Sequence, residues 1–386
     1  MKVYADNAAT TQMSQAAVDA MLPYMRCYYG NPSGIYSLGQ ESASALYKAR
    51  EVMAKRIGGD ARGITFTSGG SESDNQAIIS AAEIGRHENK KHIISTEFEH
   101  PAVLKSLKKL EKQGFKITLL HVPENGIINP EQVLTAITNE TCLVSIMYAN
   151  NEIGTIQPVR QIGEICRKKK VFFHTDAVQA AGHLHIDVQK QNIDFLSLSA
   201  HKFMGPKGVG ILYSHPKIEL TNIIEGGKQE RGNRAGTENV PAIMGMAAAF
   251  EESCRGIDEV SAKLSSYRDR LISELLKIPG SVLNGDQVNR LSGNVNISFD
   301  GIEGETLLLL LDKEGICASS GSACESGSLE PSHVLMSIGR TTEAASSSLR
   351  LSLNELNTEK EIDYILKIVP EAVSHLRRKY SDRRMY

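Results

Sequence analysis

The sequence predicts an α/β protein with a large domain built on a mostly parallel sheet and a second, smaller α/β domain. Six short apolar segments recur at intervals that are too long for hairpins and suit right-handed helical crossovers. Most are apolar at consecutive positions, as in strands covered by helices on both faces. Polar residues follow several of them directly. The predicted strands are 64–67, 93–96, 117–120, 143–147, 171–175 and 195–198.

Two helices are expected before the first of these strands. Apolar residues recur at helical spacing over 14–25 and again over 40–57. The pair Asn31-Pro32 favours an extended turn between them, and Gly58 with Gly59 ends the second helix.

The C-terminal part alternates helical and strand patterns. Pro241 stands where the first turn of a helix tolerates proline, and the helical pattern then continues through Leu275 as a bridge between domains. A strand at 295–299, a leucine-rich helix at 306–311, a strand at 349–353 and a final helix from Thr358 follow. We expect a large domain over 15–255 and a small domain formed by 1–14 and 256–386.

Composition limits the classes of function. Of the 386 residues, 41% are hydrophobic, which suits a globular protein with a large core. The net charge of −2 provides no basic surface for binding nucleic acid or an anionic membrane. The first residues predict a strand and not a signal peptide, and no run reaches the length of a membrane span, so we expect a cytoplasmic protein. The six cysteines form no Cys-x-x-Cys pair, and no disulfide framework or metal site is predicted.

Three predicted strand ends carry polar groups: the turn Ser68-Gly-Gly-Ser71, Asp176, and the loop Ser199-Ala-His-Lys202. In an open α/β sheet, ligands bind outside the carboxyl ends of the strands, so these groups can converge. A glycine turn before a helix, an aspartate and a lysine are what pyridoxal phosphate needs at its phosphate, ring nitrogen and aldehyde. Taken singly, each has an ordinary alternative: a helix cap, or a solvated lysine in a glycine-rich loop.

Four motifs extend this interpretation over nearly the whole chain: Tyr4-Ala-Asp-Asn-Ala-Ala-Thr-Thr11, Gly30-Asn-Pro-Ser33, Ser199-Ala-His-Lys202 and Ser319-Ser-Gly-Ser-Ala-Cys324. With them the chain resembles the NifS/IscS-type cysteine desulfurases of the class-V aminotransferase family, in particular the members with a long, mobile cysteine loop. The resemblance implies the aspartate-aminotransferase-like fold (fold type I) and pyridoxal 5′-phosphate as the cofactor.

The resemblance also implies roles for individual residues. Lys202 would link to the cofactor aldehyde, Asp176 would hold the ring nitrogen, and His100 would stack on the ring and assist proton movement. Thr237 would reach the phosphate of a neighbouring subunit, which predicts a homodimer, although a solvated loop over 231–239 is equally compatible with its composition. The remaining cofactor contacts are Gly70, Ser71, Asn151, Gln179, Ser199 and His201. A capping box is also predicted at the first turn of the helix, over Ser71-Glu-Ser-Asp74.

Two residues are expected to act on the substrate. Arg350 alternates with leucines along its predicted strand, and its planar guanidinium group suits the carboxylate of an amino acid. Asn151 would be a second contact to the substrate. The alternative for Arg350 is a surface salt bridge. Cys324 stands among serines and glycines without an apolar neighbour, which favours reactivity, although the adjacent Glu325 opposes thiolate formation.

The resemblance therefore predicts conversion of L-cysteine to L-alanine, with the sulfur held as a persulfide on Cys324. It would then pass to an iron–sulfur scaffold or another acceptor. A selenocysteine lyase, an aminotransferase or another pyridoxal-phosphate enzyme of the same fold remains an alternative. So does a scaffold protein that has lost turnover.

Overall fold

The structure is a computed structural model that describes residues 1–320 and 331–383, with side chains up to residue 379. Its strands are β1 (Val3–Tyr4), β2 (Ile64–Thr67), β3 (His92–Thr96), β4 (Lys116–Leu120), β5 (Thr141–Ser145), β6 (Phe172–Asp176), β7 (Phe195–Ser199), β8 (Gly210–Ser214), β9 (Ser281–Leu283), β10 (Asn294–Phe299), β11 (Ile316–Cys317) and β12 (Ser348–Ser352). Its helices are α1 (Gln15–Arg26), α2 (Ser37–Arg56), α3 (Gly70–His87), α4 (Pro101–Glu111), α5 (Pro130–Ala136), α6 (Val159–Lys169), α7 (Val240–Arg255), α8 (Ile257–Leu275), α9 (Gly304–Lys313), α10 (His333–Ser337), α11 (Thr342–Ser346) and α12 (Glu359–Arg383).

A seven-stranded sheet in the order β2-β8-β7-β6-β5-β3-β4 forms the centre. All six predicted strands are present within two residues of their predicted bounds, and they run in one direction, so the mostly parallel sheet is confirmed. Only β8 is reversed among these seven strands, and it pairs antiparallel with both β7 and β2. The loop from β7 to β8 therefore leaves the sheet at the edge where the parallel strands end.

The inner strands are covered on both faces. Every residue of β3, β5 and β7 is buried, whereas the edge strand β4 exposes Lys116 and Leu119. This burial explains why the segments that form the inner strands have apolar residues at consecutive positions in the sequence.

A second sheet, β12-β10-β9, is antiparallel, and β1 pairs in parallel with β11. The leucines of β12, the helices α8, α9 and α12, and Val3 and Ala5 pack in one hydrophobic cluster. We propose that this cluster is the core of the smaller domain, since it joins the first residues of the chain to its C-terminal part.

The helix predicted to continue from Pro241 through Leu275 is two helices. The backbone of Gly256, at φ −98° and ψ 5°, leaves the helical range, so α7 ends there and α8 begins. Glycine costs more than any residue except proline in a helix interior, which makes this position the natural break. In the part of the chain that the structure describes, no helix has the length and apolar character needed to cross a membrane.

Candidate active site

A cavity of about 500 Å³ lies at the carboxyl ends of the parallel strands. Its wall contains nine of the predicted site residues: Gly70, Ser71, His100, Asn151, Asp176, Gln179, Ser199, His201 and Lys202. Thr237 and Arg350 are not among the lining residues, and Cys324 lies outside the described residues. The fold thus brings most of the predicted site residues together at the strand ends.

Lys202 ends a short 3₁₀ turn that follows β7 directly. Its Nζ donates hydrogen bonds to the backbone carbonyls of Ala8 (2.6 Å) and Ala9 (2.7 Å). Gln179 Nε2 donates to the same Ala8 carbonyl at 3.0 Å. The N-terminal arm therefore holds the lysine inside the cavity through main-chain atoms, which no residue-type pattern in the sequence could reveal.

One end of the cavity is built to bind an anion. Helix α3 begins at Gly70, and the N-cap Gly69 has a φ of 150° and no side-chain cap. The capping box predicted at Ser71 is therefore wrong: the helix starts earlier, and the Glu72 carboxylate accepts from the Ser68 amide (2.8 Å). A Cβ on Gly70 would come within 2.6 Å of the Val178 side chain, so glycine allows the two segments to approach closely here. Free amides and the helix dipole there favour a phosphate.

Ser199 and His201 flank the same end. Burial, assisted by Lys202 and Lys207, lowers the pKa of His201 to about 4, so its imidazole is neutral near neutral pH. Its Nδ1 lies 3.1 Å from the Thr10 hydroxyl. Lys207 also lines this wall and was missed by sequence reasoning, although it stands in the same glycine-rich loop.

Asp176 and His100 lie close together in the cavity wall, and we call this part the ring end because the resemblance assigns both residues to the cofactor ring. Burial raises the pKa of Asp176, while His100, the Val178 amide (2.9 Å) and Lys202 oppose this rise. Burial lowers the pKa of His100, and its Nδ1 accepts from the Ala102 amide at 3.1 Å. His100 is thus a neutral imidazole with its proton on Nε2, because Nδ1 already serves as an acceptor.

Thr237 is exposed, on a loop that is tied to the anion end of the cavity. Arg234 Nε lies 3.0 Å from Glu72 Oε1, close to the start of α3. Burial alone would raise the pKa of Glu72, but Arg234 and the Ser68 amide hold it below its ordinary value. The ion pair fixes the Thr237 loop beside the helix terminus, a link between distant segments that sequence spacing does not encode.

Arg350 lies next to the cavity and is buried. Its Nη2 donates to Asp6 Oδ1 at 2.9 Å, and its Nη1 donates to the Asn151 carbonyl at 3.3 Å. The leucines on either side are also buried, so β12 is covered on both faces and the surface salt bridge considered above is wrong. Asp6 was quoted in a motif, but nothing in the sequence paired it with Arg350.

Comparisons with known proteins agree with this arrangement. The profile of the family "Aminotransferase class-V" matches residues 3–365. "Cysteine desulfurase IscS" of Methanosarcina thermophila is 52% identical over 375 residues, covering 97% of this chain and 93% of the relative. "Cysteine desulfurase IscS" of Clostridium botulinum is 51% identical over 379 residues, covering 97% and 95%.

Solved structures give the same result. The "NIFS-LIKE PROTEIN" superposes with a TM-score of 0.91 at 38% identity, covering 97% of this chain and 100% of that one. "SspA in complex with cysteine" superposes with a TM-score of 0.81 at 35% identity, covering 92% and 100%. The chain belongs to the class-V aminotransferase family and, within it, to the NifS/IscS-type cysteine desulfurases.

Proposed function

We propose that this chain converts L-cysteine to L-alanine, holds the released sulfur as a persulfide on Cys324, and passes it to an acceptor such as an iron–sulfur scaffold protein. The observation that carries the proposal is that Lys202, Asp176 and the open start of α3 face one cavity. The match to relatives named cysteine desulfurase supports the choice of reaction.

The residues of the cavity fit pyridoxal 5′-phosphate. The start of α3 at Gly70, whose N-cap has no side-chain cap, suits the phosphate together with Ser71, Ser199 and His201. Asp176 is a buried carboxyl facing the cavity and suits a protonated ring nitrogen, and Asn151 and Gln179 suit the ring hydroxyl. Lys202 supplies the amine for the aldehyde, and His100 a flat ring for stacking.

When bound, the cofactor would supply an electron sink for the charge that develops at the substrate's α-carbon. Lys202 would move the α-proton, because its amine lies in the cavity wall, held there by the Ala8 and Ala9 carbonyls. His100, with its proton on Nε2, would assist proton transfer. Arg350 would bind the substrate carboxylate with its planar fork, already oriented by Asp6 and the Asn151 carbonyl.

In the sulfur step the Cys324 thiolate attacks the sulfur of L-cysteine. The new S–S bond forms as the substrate's C–S bond breaks, and the carbon that loses sulfur takes a proton. L-cysteine and the Cys324 thiol thereby become L-alanine and a Cys324 persulfide, with no external oxidant or reductant.

A homodimer is part of the proposal. Several apolar side chains within residues 25–35, which we call the apolar stretch, are exposed to solvent. Ile35 is 96%, Tyr29 74% and Met25 61% exposed. Exposed apolar residues concentrated in this way favour an interface. Pro32 and Ser33 line one surface pocket together with Arg231 and Glu238, so a second copy covering this stretch would also lie near the exposed Thr237 loop.

We also propose a cytoplasmic location. Cys27, Cys142, Cys166, Cys254 and Cys317 are free thiols. Free thiols in this number are typical of a reducing compartment.

The test is to incubate purified protein with L-cysteine and a reductant and to measure alanine and sulfide together. Wild-type protein is expected to form the two in equal amounts, and Cys324→Ala to form neither. Undiminished turnover in Cys324→Ala would overturn the persulfide mechanism and favour a selenocysteine lyase or another enzyme of the fold. Protein that binds no pyridoxal phosphate would favour a scaffold without turnover.

A further inference from the structure

Asp74 is a buried carboxyl at the ring end of the cavity that the mechanism above does not use. It lies in the second turn of α3 and is 1% exposed. One donor atom each of Asp74, His100 and Asp176 lie within 4.8 Å of one another. Asp74 Oδ1 has no hydrogen-bond partner among the residues that the structure describes.

No cation within the described residues neutralises Asp74. The basic group nearest to it is His174, whose Nε2 is 3.6 Å from Asp74 Oδ1. The two His174 ring nitrogens face the hydroxyls of Ser145 (2.8 Å) and Ser197 (3.1 Å). Burial lowers the pKa of His174 to about 3, so this imidazole is neutral and offers Asp74 no charge.

Two buried carboxyls within 4.8 Å repel each other when both are ionised, which raises the pKa of the less supported one. Asp176 is the carboxyl whose charge is better supported, because it accepts from the Val178 amide (2.9 Å) and lies near Lys202. Burial and the charges of Asp176 and Glu99 raise the pKa of Asp74 well above its ordinary value, and the Ser197 hydroxyl opposes them only in part. The dipole of α3 acts mainly within its first turn, which Asp74 lies beyond.

We propose that Asp74 is a positioning residue whose carboxyl stays protonated, so that Asp176 is the single carboxylate at the ring end of the cavity. Its role rests on the proposed cofactor, since a bound pyridinium would give the charge of Asp176 a cationic partner. A neutral Asp74 removes the repulsion that would otherwise pull a proton onto Asp176. The groups that face Asp74 and take part in this balance are Asp176, His174, Glu99, His100 and Lys202.

Infrared spectroscopy of protein that carries aspartate ¹³C-labelled at the side-chain carboxyl tests the proposal. The label shifts aspartate bands alone, which separates Asp74 from the buried glutamates Glu99 and Glu152. Near neutral pH, wild-type protein is expected to show the carbonyl band of a protonated aspartic acid, and Asp74→Asn to lack it. No such band in wild type, or a band that persists in Asp74→Asn, would overturn the proposal.

Asp176→Asn provides a second measurement should Asp74→Asn fail to fold. Without the charge of Asp176, the Asp74 band is expected to titrate at lower pH than in wild type; an unchanged or higher midpoint would contradict the proposal. The bands are recorded without cofactor as well as with it. Failure of the proposed cofactor would therefore show as absent visible absorbance, while the Asp74 band would still be readable.

Discussion

Arg350 on β12 donates to Asp6 on the N-terminal arm across 2.9 Å, and the Ala8 and Ala9 carbonyls of the same arm accept hydrogen bonds from Lys202 Nζ. One stretch of irregular chain thus orients the proposed carboxylate fork and the proposed catalytic lysine together. The fork and the lysine come from different sheets, so the arm sets their relative position.

Arg350→Lys is expected to raise KM for L-cysteine by about 10- to 100-fold, with a smaller change in kcat. Lysine keeps the charge but loses the planar fork, and one or two charge-assisted hydrogen bonds contribute about 1.5–3 kcal/mol. Steady-state kinetics checks this. Arg340→Lys is the matched control, since Arg340 pairs with the exposed Glu124. An unchanged KM in Arg350→Lys would remove Arg350 from the substrate site.

Lys202→Ala is expected to lose the visible absorbance of covalently held cofactor and to lower turnover by about 10²- to 10⁴-fold or more, because the amine serves both attachment and proton transfer. Absorbance of the purified protein and alanine formation measure the two effects. Lys217→Ala, an exposed lysine, is the control. Visible absorbance equal to wild type in Lys202→Ala would contradict the assignment.

Glu152 makes stability depend on pH. Burial raises its pKa from 4.5 to about 7, against the Ser332 hydroxyl and Arg350. Between pH 4.5 and about 7, Glu152 is protonated in the folded chain and largely ionised in the unfolded one. Its contribution to the free energy of unfolding is therefore complete below about pH 4.5 and is lost as the pH rises through about 7. Glu152→Gln should therefore be more stable than wild type at about pH 8, by up to about 3 kcal/mol, with less difference at about pH 5.

Chemical denaturation at the two pH values measures this difference. Glu219→Gln is the control, because its side chain is exposed. A pH dependence of stability that is the same in Glu152→Gln and wild type would show that Glu152 is not a buried neutral acid.

Ile35→Glu is expected to weaken the proposed homodimer, because it places a charge at the most exposed residue of the apolar stretch. Sedimentation over a range of protein concentrations should show a dissociation constant raised by about 10-fold or more, a typical cost of a charge at an interface core. Val288→Glu is the control: it changes another exposed apolar residue, 79% exposed and far along the chain, and should leave assembly intact. A wild-type protein that sediments as a monomer would refute the dimer.

The sequence predicts the central sheet well because most of its buried parallel strands have apolar residues at consecutive positions. Asp176 and Lys202 could be placed for the same reason, since Asp176 ends such a strand and Lys202 lies in the turn that follows another. The Asp6–Arg350 and Glu72–Arg234 pairs could not, because their partners are distant in the chain and share no periodicity. The break at Gly256 and the early start of α3 at Gly70 depend on backbone angles, which propensity constrains only loosely.

Transfer of the substrate sulfur to Cys324 can be followed in a single turnover with sulfur-labelled L-cysteine. The protein is trapped with an alkylating reagent, digested without reductant, and its peptides are mapped for label by mass spectrometry. We predict label on the peptide containing Cys324, unchanged in Cys317→Ala and absent in Cys324→Ala. Label on another cysteine, or full alanine formation with no labelled peptide, would contradict the account.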